Sequence, residues 1–228
     1  MILVTGHRGF IGSKLFEKLD GDVIGIDIRE GKSLLTCDLP QGVETIYHLA
    51  AQSDVVASWE DPTHDMDNIR VTARLAHNYP QAKIIYANSC AALDPKSPYG
   101  FSKRVCAEYL NRFHGNTVNL VFPNIFGPGS RSVVDIFKDL DKVNVYGDGH
   151  QTRDYVHVDD LVQGLLRAYD WKPGEYFMGS GKSFSVLELA GIREIEFHPA
   201  RKEPREVEVP NTTPDWEPEI GVIEYING

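Results

Sequence analysis

The sequence is poor in the features that mark metal-binding, secreted, membrane and nucleic-acid-binding proteins. Its three cysteines, Cys37, Cys90 and Cys106, are scattered without metal-ligand spacing, which predicts no metal site and suits a reducing cytoplasm. No apolar run approaches the ~18 residues of a membrane-spanning helix, and the chain starts directly with a strand pattern, which predicts no signal peptide.

Positive charge is also scarce, because 23 Lys and Arg stand against 33 Asp and Glu and leave a net charge of −10. This balance argues against a nucleic acid or an anionic membrane as partner, and we expect a cytoplasmic protein.

A glycine-rich turn stands near the start of the chain. An apolar run typical of a buried strand, residues 2–4, is followed by Gly6, Gly9 and Gly12 in the run TGHRGFIG. In such a turn the first glycine permits the bend, the second lets the backbone approach a pyrophosphate, and the third lets the next helix pack against the strand. The helix predicted over 10–19 then presents its free N–H groups to the phosphates. The expected cofactor contacts in this turn are Gly6, Arg8, Gly9, Phe10, Ile11 and Gly12.

The next strand pattern, over 22–27, ends in a carboxylate. Asp27 follows the glycine turn by about 20 residues, the spacing of a group that binds the adenosine ribose hydroxyls. Because a carboxylate there repels a 2′-phosphate, NAD is favoured over NADP as the cofactor. Arg29 lies close enough to keep NADP as a minority alternative.

Tyr99 and Lys103 form the second informative pair. They are four residues apart and share one face of the helix predicted over 99–114. A phenol with a pKa of about 10 is a poor base at neutral pH, but a neighbouring cation favours the phenolate and lowers that pKa. Together with a dinucleotide turn in the same chain, the pair predicts hydride chemistry with Tyr99 as the acid/base.

Strand and helix patterns alternate along the chain, which demands a parallel sheet with helices on both faces. We therefore predict an α/β fold, a Rossmann-type doubly wound parallel sheet with a small C-terminal substrate-binding lobe. The predicted strands lie near 2–5, 22–27, 44–49, 83–88, 117–122 and 175–178, and the helices near 10–19, 66–78, 99–114 and 160–170. The NAD-binding core is assigned to 1–122, completed by about 154–180, and the substrate lobe to 123–153 and 181–228. Between Asp27 and Cys37 there is no room for a connecting helix.

These motifs resemble those of the extended short-chain dehydrogenases/reductases, in the group of NAD-dependent sugar-nucleotide epimerases and dehydratases. The resemblance runs over nearly the whole chain and includes Asn68 and the runs CDL at 37–39, HLAAQ at 48–52, PNIFGPG at 123–129 and VYGDGHQTRDYVHVDD at 145–160. It implies that Asp38 and Leu39 touch the adenine. The other implied cofactor contacts are Leu49, Ala50, Ala51, Asn88, Tyr99, Lys103 and Pro123.

The resemblance also implies a nucleotide-sugar substrate. Asn124 would contact the sugar diphosphate and Arg153 the nucleotide diphosphate, with Tyr146 as a further contact. Arg201 and Arg205 in the C-terminal segment are additional candidates, set against a role as solvated surface charge.

A third catalytic residue, a Ser or Thr at the end of the strand over 83–88, is ambiguous here. Aligning on the two alanines that follow puts Cys90 at that position, whereas sliding by one residue puts Ser89 there. A thiol donates a hydrogen bond weakly, so Ser89 is favoured, with Cys90 as a competitor or as a buried filler. Dehydrating relatives carry a carboxylate just after the Ser or Thr, where this chain has Ala91 and Ala92. A dehydratase is therefore disfavoured.

The predicted function is an NAD-dependent epimerase of a nucleotide sugar, of the UDP-hexose 4-epimerase type, with transient hydride transfer to bound NAD. Two alternatives stay open: an NAD(P)H-dependent keto-sugar-nucleotide reductase, which Asp27 disfavours, and a non-catalytic NAD-binding scaffold, which Tyr99 and Lys103 disfavour. The helices over 66–78 and 99–114 carry apolar faces that build a dimer interface in the family, so we expect a homodimer. The chain is also shorter than full-sized relatives.

Several polar residues in these motifs are expected to be structural. His48 ends an apolar strand and is predicted to be a hydrogen-bonded core residue. Asp159 is predicted as the N-cap of the helix over 160–170, and Asp160 as structural beside it.

Overall fold

The computed structural model of the protein describes residues 1–200 and 207–228. Within these ranges the chain forms two compact units, Met1–Val121 with Leu165–Tyr176 and Phe122–Gly164 with Phe177–Gly228, here called the first and the second unit. Two predicted substrate contacts, Arg201 and Arg205, lie outside the described residues. No helix in the described ranges is both long enough and apolar enough to cross a membrane.

The elements alternate as the sequence predicts. The strands of the described ranges are β1 (Ile2–Thr5), β2 (Val23–Ile26), β3 (Thr45–His48), β4 (Lys83–Ser89), β5 (Thr117–Phe122), β6 (Asn124–Phe126), β7 (Lys142–Tyr146), β8 (Thr152–His157), β9 (Gly174–Phe177), β10 (Ser183–Ser185) and β11 (Glu194–His198). The helices are α1 (Phe10–Lys18), α2 (Val55–Glu60), α3 (Thr63–Asn78), α4 (Pro98–Phe113), α5 (Val133–Lys138), α6 (Val158–Arg167), α7 (Val186–Ala190) and α8 (Val222–Asn227). Two 3-10 turns, η1 (Ile28–Glu30) and η2 (Cys90–Ala92), complete the set.

A six-stranded sheet in the order β2-β1-β3-β4-β5-β9 forms the centre of the first unit. β1 pairs in parallel with β2 and β3, and β3 pairs in parallel with β4. Every residue of β3 and β5 is buried, as expected for parallel strands that are covered on both faces. Because the carboxyl ends of parallel strands meet at one edge, the segments that follow β1, β2, β3 and β4 come together there.

The predicted fold class, a doubly wound parallel sheet with flanking helices, is confirmed. Each predicted strand agrees with the observed one to within a residue, and the link between β2 and β3 contains η1 as its one helical element in the described chain. Helix α3 begins three residues earlier than predicted, at Thr63. Helix α2 was not predicted, although its cap is visible in the sequence: Asp54 accepts hydrogen bonds from the N–H groups of Val56 and Ala57.

The second unit contains a three-stranded sheet, β10-β8-β6, and a two-stranded sheet, β11-β7. β8 is the central strand of the first of these, parallel to β6 and antiparallel to β10. Residues 154–164, which we predicted to complete the NAD-binding core, cluster with the second unit. Its apolar core includes Phe126, Phe137, Val145, Leu189 and Ile226.

The prediction that Asp159 is the N-cap of the helix that follows β8 is wrong. Helix α6 begins at Val158, so Asp159 lies inside its first turn. A carboxylate in this position is stabilised by the positive end of the helix dipole. The cap position falls on His157, whose Nδ1 accepts a hydrogen bond of 3.2 Å from the N–H of Asp159. Asp160 is buried, and its Oδ2 accepts hydrogen bonds from the N–H groups of Glu219 and Ile220.

Candidate active site

Three glycines shape the turn after β1, and each has a different neighbour. Gly6 has a φ of +75°, and a Cβ there would lie 2.8 Å from the backbone N of Ala50. A Cβ on Gly12 would lie 2.1 Å from the carbonyl oxygen of Gly6, so α1 can approach the turn this closely only without a side chain. A Cβ on Gly9 would meet that same oxygen at 3.1 Å and otherwise project away from the described chain.

This turn fits the pyrophosphate of a dinucleotide. Helix α1 starts at Phe10, directly after Gly9, and within this described helix the first turn holds neither an acidic side chain nor a side-chain cap. The N–H groups of the first turn, which include those of Phe10 and Ile11, are thus available to an anion. Asp27, directly after β2, is buried. It lies beside the glycine turn, where its Oδ2 accepts a 2.9 Å hydrogen bond from the N–H of Arg8.

The segments after β3 and β4 lie at the same edge of the sheet. Backbone N–H groups hold the first of them to the end of β1: Leu49 donates to the carbonyl oxygen of Thr5 and Ala50 to its Oγ1, both at 3.2 Å. Ala51 continues this segment. Asn88 is buried near the end of β4, and its Oδ1 accepts a hydrogen bond from the N–H of Ser89. Four of the predicted cofactor contacts are therefore brought to the edge that carries the glycine turn.

Three further predicted cofactor contacts are Asp38, Leu39 and Pro123. Asp38 and Leu39 line a groove of about 620 Å³ in the first unit, together with Arg74 and Tyr79. The guanidinium of Arg74 donates to the carbonyl oxygen of Cys37 at 2.8 Å and so fixes the start of this segment. Pro123 is buried directly after β5 and belongs to the second unit.

Helix α4 brings a phenol and a hydroxyl together. Its cap is Ser97, and a Cβ on Gly100 in its first turn would lie 2.4 Å from the carbonyl oxygen of Ala91, so the helix packs directly on η2. The side chain of Ser89, the cap residue of η2, lies close enough to the phenol of Tyr99 to lower its pKa. Cys90, the first residue of η2, also acts on this pKa and raises it.

Lys103 lies one helical turn further along α4 and is buried, with 4% of its surface exposed. Its Nζ donates to the carbonyl oxygen of Ala87 and lies 4.3 Å from the centroid of the Tyr86 ring, a cation–π contact. Burial lowers the pKa of Lys103 to about 8. Burial raises the pKa of Tyr99 to about 12, while the neighbouring side chain of Ser89 acts in the opposite direction.

His48 is a buried, neutral hydrogen-bonding residue, as predicted. Its Nδ1 lies 2.9 Å from Thr5 Oγ1 and its Nε2 lies 3.0 Å from Thr72 Oγ1. The hydroxyl of Thr72 donates its hydrogen bond to the carbonyl oxygen of Asn68, so it can only accept one from His48. Nε2 of His48 is therefore the donor and Nδ1 the acceptor. Burial, with a smaller effect of the Lys103 charge, lowers the pKa of His48 to about 3.

The hydrogen-bond chain continues from Asn68 to the helix that carries the phenol. The side chain of Asn68 exchanges hydrogen bonds with the backbone of Gln52, at 2.9 and 3.1 Å. Its second N–H donates to Ser102 Oγ at 3.2 Å, and Ser102 donates to the carbonyl oxygen of Tyr99 at 2.8 Å. These bonds connect the segment after β3 to the first turn of α4.

The predicted substrate contacts of the second unit line one cavity of about 280 Å³. Asn124, Tyr146 and Arg153 contribute to its wall. Arg131 and Gln151 also line it and were missed, although Arg131 lies two residues after the PNIFGPG run and Gln151 two residues before Arg153. The described lining residues include two guanidinium groups and no carboxylate, which suits an anionic ligand.

A Rossmann-type sheet with this glycine turn, a carboxylate after β2 and a Tyr-x-x-x-Lys helix defines an NAD-dependent enzyme of the short-chain dehydrogenase/reductase class. The chain belongs to the NAD-dependent epimerase/dehydratase family, whose model matches residues 2–179. NAD is its cofactor.

Known relatives are similar over nearly the whole chain. A Methanocaldococcus jannaschii protein, provisionally named UDP-glucose 4-epimerase, is 33% identical over 99% of this chain and 96% of its own length. The UDP-glucose 4-epimerase of Thermotoga maritima, solved with UDP-glucose, is 27% identical with a TM-score of 0.84 over 99% of this chain and 96% of that one. The Thermus thermophilus UDP-glucose 4-epimerase, solved with NAD, is 25% identical with a TM-score of 0.85 and the same coverage.

The relatives carry segments that this chain lacks. The alignment with the M. jannaschii protein runs over 292 positions, more than the 228 residues of the chain. Because the alignment covers 99% of this chain and 96% of that protein, the additional residues of that protein lie within the aligned region.

Proposed function

We propose that this protein is an NAD-dependent epimerase of a nucleotide sugar, and that it inverts C4 of a UDP-hexose. The observation that carries the proposal is the packing of α4 on η2, which brings Tyr99 beside Ser89, with Lys103 one turn along the same helix. The names of the relatives favour UDP-glucose and UDP-galactose as the substrate pair. Ala91 and Ala92, which stand where dehydrating relatives carry a carboxylate, favour a redox-neutral epimerase over a dehydratase.

In this proposal the side chains move a proton and hold charge. Bound NAD would supply reversible hydride acceptance at the sugar carbon, chemistry that belongs to the cofactor. Tyr99, as phenolate, takes the proton of the sugar hydroxyl while that carbon is oxidised, and it returns the proton once the carbon has been reduced from the other face. Ser89 donates a hydrogen bond to the reacting oxygen, and Lys103 stabilises the phenolate through its charge.

The cavity of the second unit is the proposed site for the substrate's diphosphate. Arg131 and Arg153 supply two guanidinium groups that match phosphate oxygens, and Asn124 adds an amide donor. Arg205 stays a candidate for the same diphosphate. We assign the nucleotide to this cavity because its described lining carries positive charge without a carboxylate.

We also propose a homodimer in the cytoplasm. The helices α2, α3 and α4 expose large apolar side chains, among them Trp59 at 54%, Met66 at 46% and Phe101 at 54%, which is unusual for a surface that stays in water. All three cysteines are thiols, which suits a reducing compartment. Light scattering is expected to give twice the 25.6 kDa mass of one chain, and a mass of one chain at micromolar concentration would refute the dimer.

The proposed reaction is tested with UDP-glucose and UDP-galactose and no added cofactor, by following the anomeric protons by NMR. Either sugar is expected to yield the same mixture of both. Ser89→Ala is expected to lower kcat by about 10²-fold, since it removes one donor to the reacting oxygen. Cys90→Ala, the matched control, is expected to stay within about threefold, because its thiol lies in η2. A larger loss in Cys90→Ala would reverse the assignment. No interconversion by NAD-loaded wild type would refute the UDP-hexose proposal.

A further inference from the structure

Two arginines flank the carboxylate that receives the adenosine ribose. Arg8 in the glycine turn and Arg29 in η1 both donate backbone N–H groups to Asp27, each at 2.9 Å. Their guanidinium groups therefore extend from backbone fixed beside the ribose site. Guanidinium groups in such a place are what a cofactor with a 2′-phosphate would use, whereas NAD carries no such phosphate.

A second carboxylate, that of Glu30, forms an ion pair with the guanidinium of Arg8. Both Nε and Nη2 of Arg8 lie 2.6 Å from Glu30 Oε1, and Nε2 of His7 lies 3.4 Å from the same oxygen. The hydrogen bond from Arg8 holds the pKa of Glu30 below its usual value, so the carboxylate is charged at neutral pH. The guanidinium of Arg29 donates to the carbonyl oxygen of Arg8. The Arg8 guanidinium is thus paired with Glu30 at the protein surface, and one nitrogen of the Arg29 guanidinium is used by the backbone of Arg8.

The local backbone fixes Glu30 relative to the ribose acceptor. Asp27 caps η1, and Glu30, its third residue, donates its N–H to the carbonyl oxygen of Asp27 at 3.1 Å. Gly31 closes the turn with a φ of +74°, which other residues rarely adopt, and its N–H donates to the carbonyl oxygen of Ile28. Glu30 therefore has a fixed backbone position three residues after Asp27, from which it contacts Arg8.

We propose that Glu30 determines the selectivity of this site for NAD. Its carboxylate pairs with Arg8, so a 2′-phosphate meets two negative charges, Asp27 and Glu30, and an Arg8 guanidinium whose charge is already offset. Arg8 is then a latent phosphate ligand that becomes available when the charge of Glu30 is removed. This role differs from that of Asp27, which excludes the phosphate through its own charge at the ribose hydroxyls.

The test is Glu30→Gln, which keeps the shape of the side chain and removes its charge. NAD and NADP are titrated into cofactor-free protein by calorimetry. The NADP affinity is expected to rise about tenfold and the NAD affinity to stay within about twofold, since the released guanidinium can bind phosphate bidentately. Glu17→Gln is the matched control, because Glu17 is exposed on α1 and its loss changes the net charge equally. It is expected to leave the ratio of the two affinities unchanged.

A double variant identifies Arg8 as the group that is released. Arg8→Ala combined with Glu30→Gln is expected to lose the gain in NADP affinity. A gain that persists in the double variant overturns the proposal, because it would be a general effect of charge. The proposal is also overturned if Glu30→Gln shifts the affinity ratio by less than twofold, or weakens both cofactors equally. Binding alone is measured, so the result does not depend on the proposed sugar substrate.

Discussion

Replacing Tyr99 by phenylalanine is expected to lower kcat for the interconversion of the two UDP-hexoses by about 10³-fold, since positioned acid/base groups contribute roughly 10²–10⁴-fold. The substitution removes the phenol oxygen beside Ser89 and keeps the ring at the start of α4. Without that oxygen, no group at this position takes the proton of the sugar hydroxyl. The loss is measured by proton NMR with saturating substrate.

A second tyrosine on the same helix provides the control. Tyr109 is half-buried on α4, where its ring packs against Phe113 at 5.0 Å between centroids. Tyr109→Phe is expected to keep kcat within about twofold, because its phenol is not part of the site. If Tyr99→Phe retained more than a tenth of wild-type kcat while binding NAD normally, another group would have to move the proton.

The sequence predicted the parts of this molecule that depend on local spacing. The glycine turn, Asp27 and the pair Tyr99 and Lys103 are each defined by residues close together in the chain, so hydrophobic periodicity placed them on the correct strand end or helix. The family, the NAD cofactor and the epimerase class predicted from them are confirmed by the family match and the relatives.

The choice between Ser89 and Cys90 was beyond the sequence. Aligning from β4 and aligning from the two alanines give answers that differ by one residue, and neither is preferred by local pattern. The relevant contact joins distant segments: Gly100 lets α4 pack on the carbonyl oxygen of Ala91, which brings the side chain of Ser89 close to Tyr99. The assignment of Ser89 as the catalytic hydroxyl stays a prediction until its variant is assayed.

The second unit was harder to predict because its strands are short. β6 and β10 have three residues each, too few for a periodic pattern, so 154–164 looked like a continuation of the core. The pair Arg8 and Glu30 was missed for a related reason. Its members are 22 residues apart, and each has an ordinary surface role in its own segment.

Gly12→Ala is expected to destabilise the fold by about 3 kcal/mol, the upper end of the usual cost of overpacking. A Cβ there would lie 2.1 Å from the carbonyl oxygen of Gly6 and 2.8 Å from its carbon, both backbone atoms that cannot rotate away. Helix α1 would have to shift from the glycine turn. For a chain of this length the melting temperature of the cofactor-free protein is expected to fall by roughly 6–12 °C, which calorimetry or circular dichroism measures.

Gly9→Ala adds the same methyl group three residues earlier and is expected to do the opposite. Its Cβ would meet the carbonyl oxygen of Gly6 at 3.1 Å, and no other described atom beyond its two chain neighbours would lie within 4 Å. Gly9 is the N-cap of α1, directly before the first-turn N–H groups that are available to an anion. The melting temperature of the cofactor-free protein should therefore stay within about 2 °C of wild type, since the overpacking term is small. NAD affinity should fall at least about tenfold, because the methyl group keeps the pyrophosphate from the backbone. If Gly9→Ala lost stability as Gly12→Ala does, or bound NAD normally, Gly9 would not be the glycine that admits the cofactor.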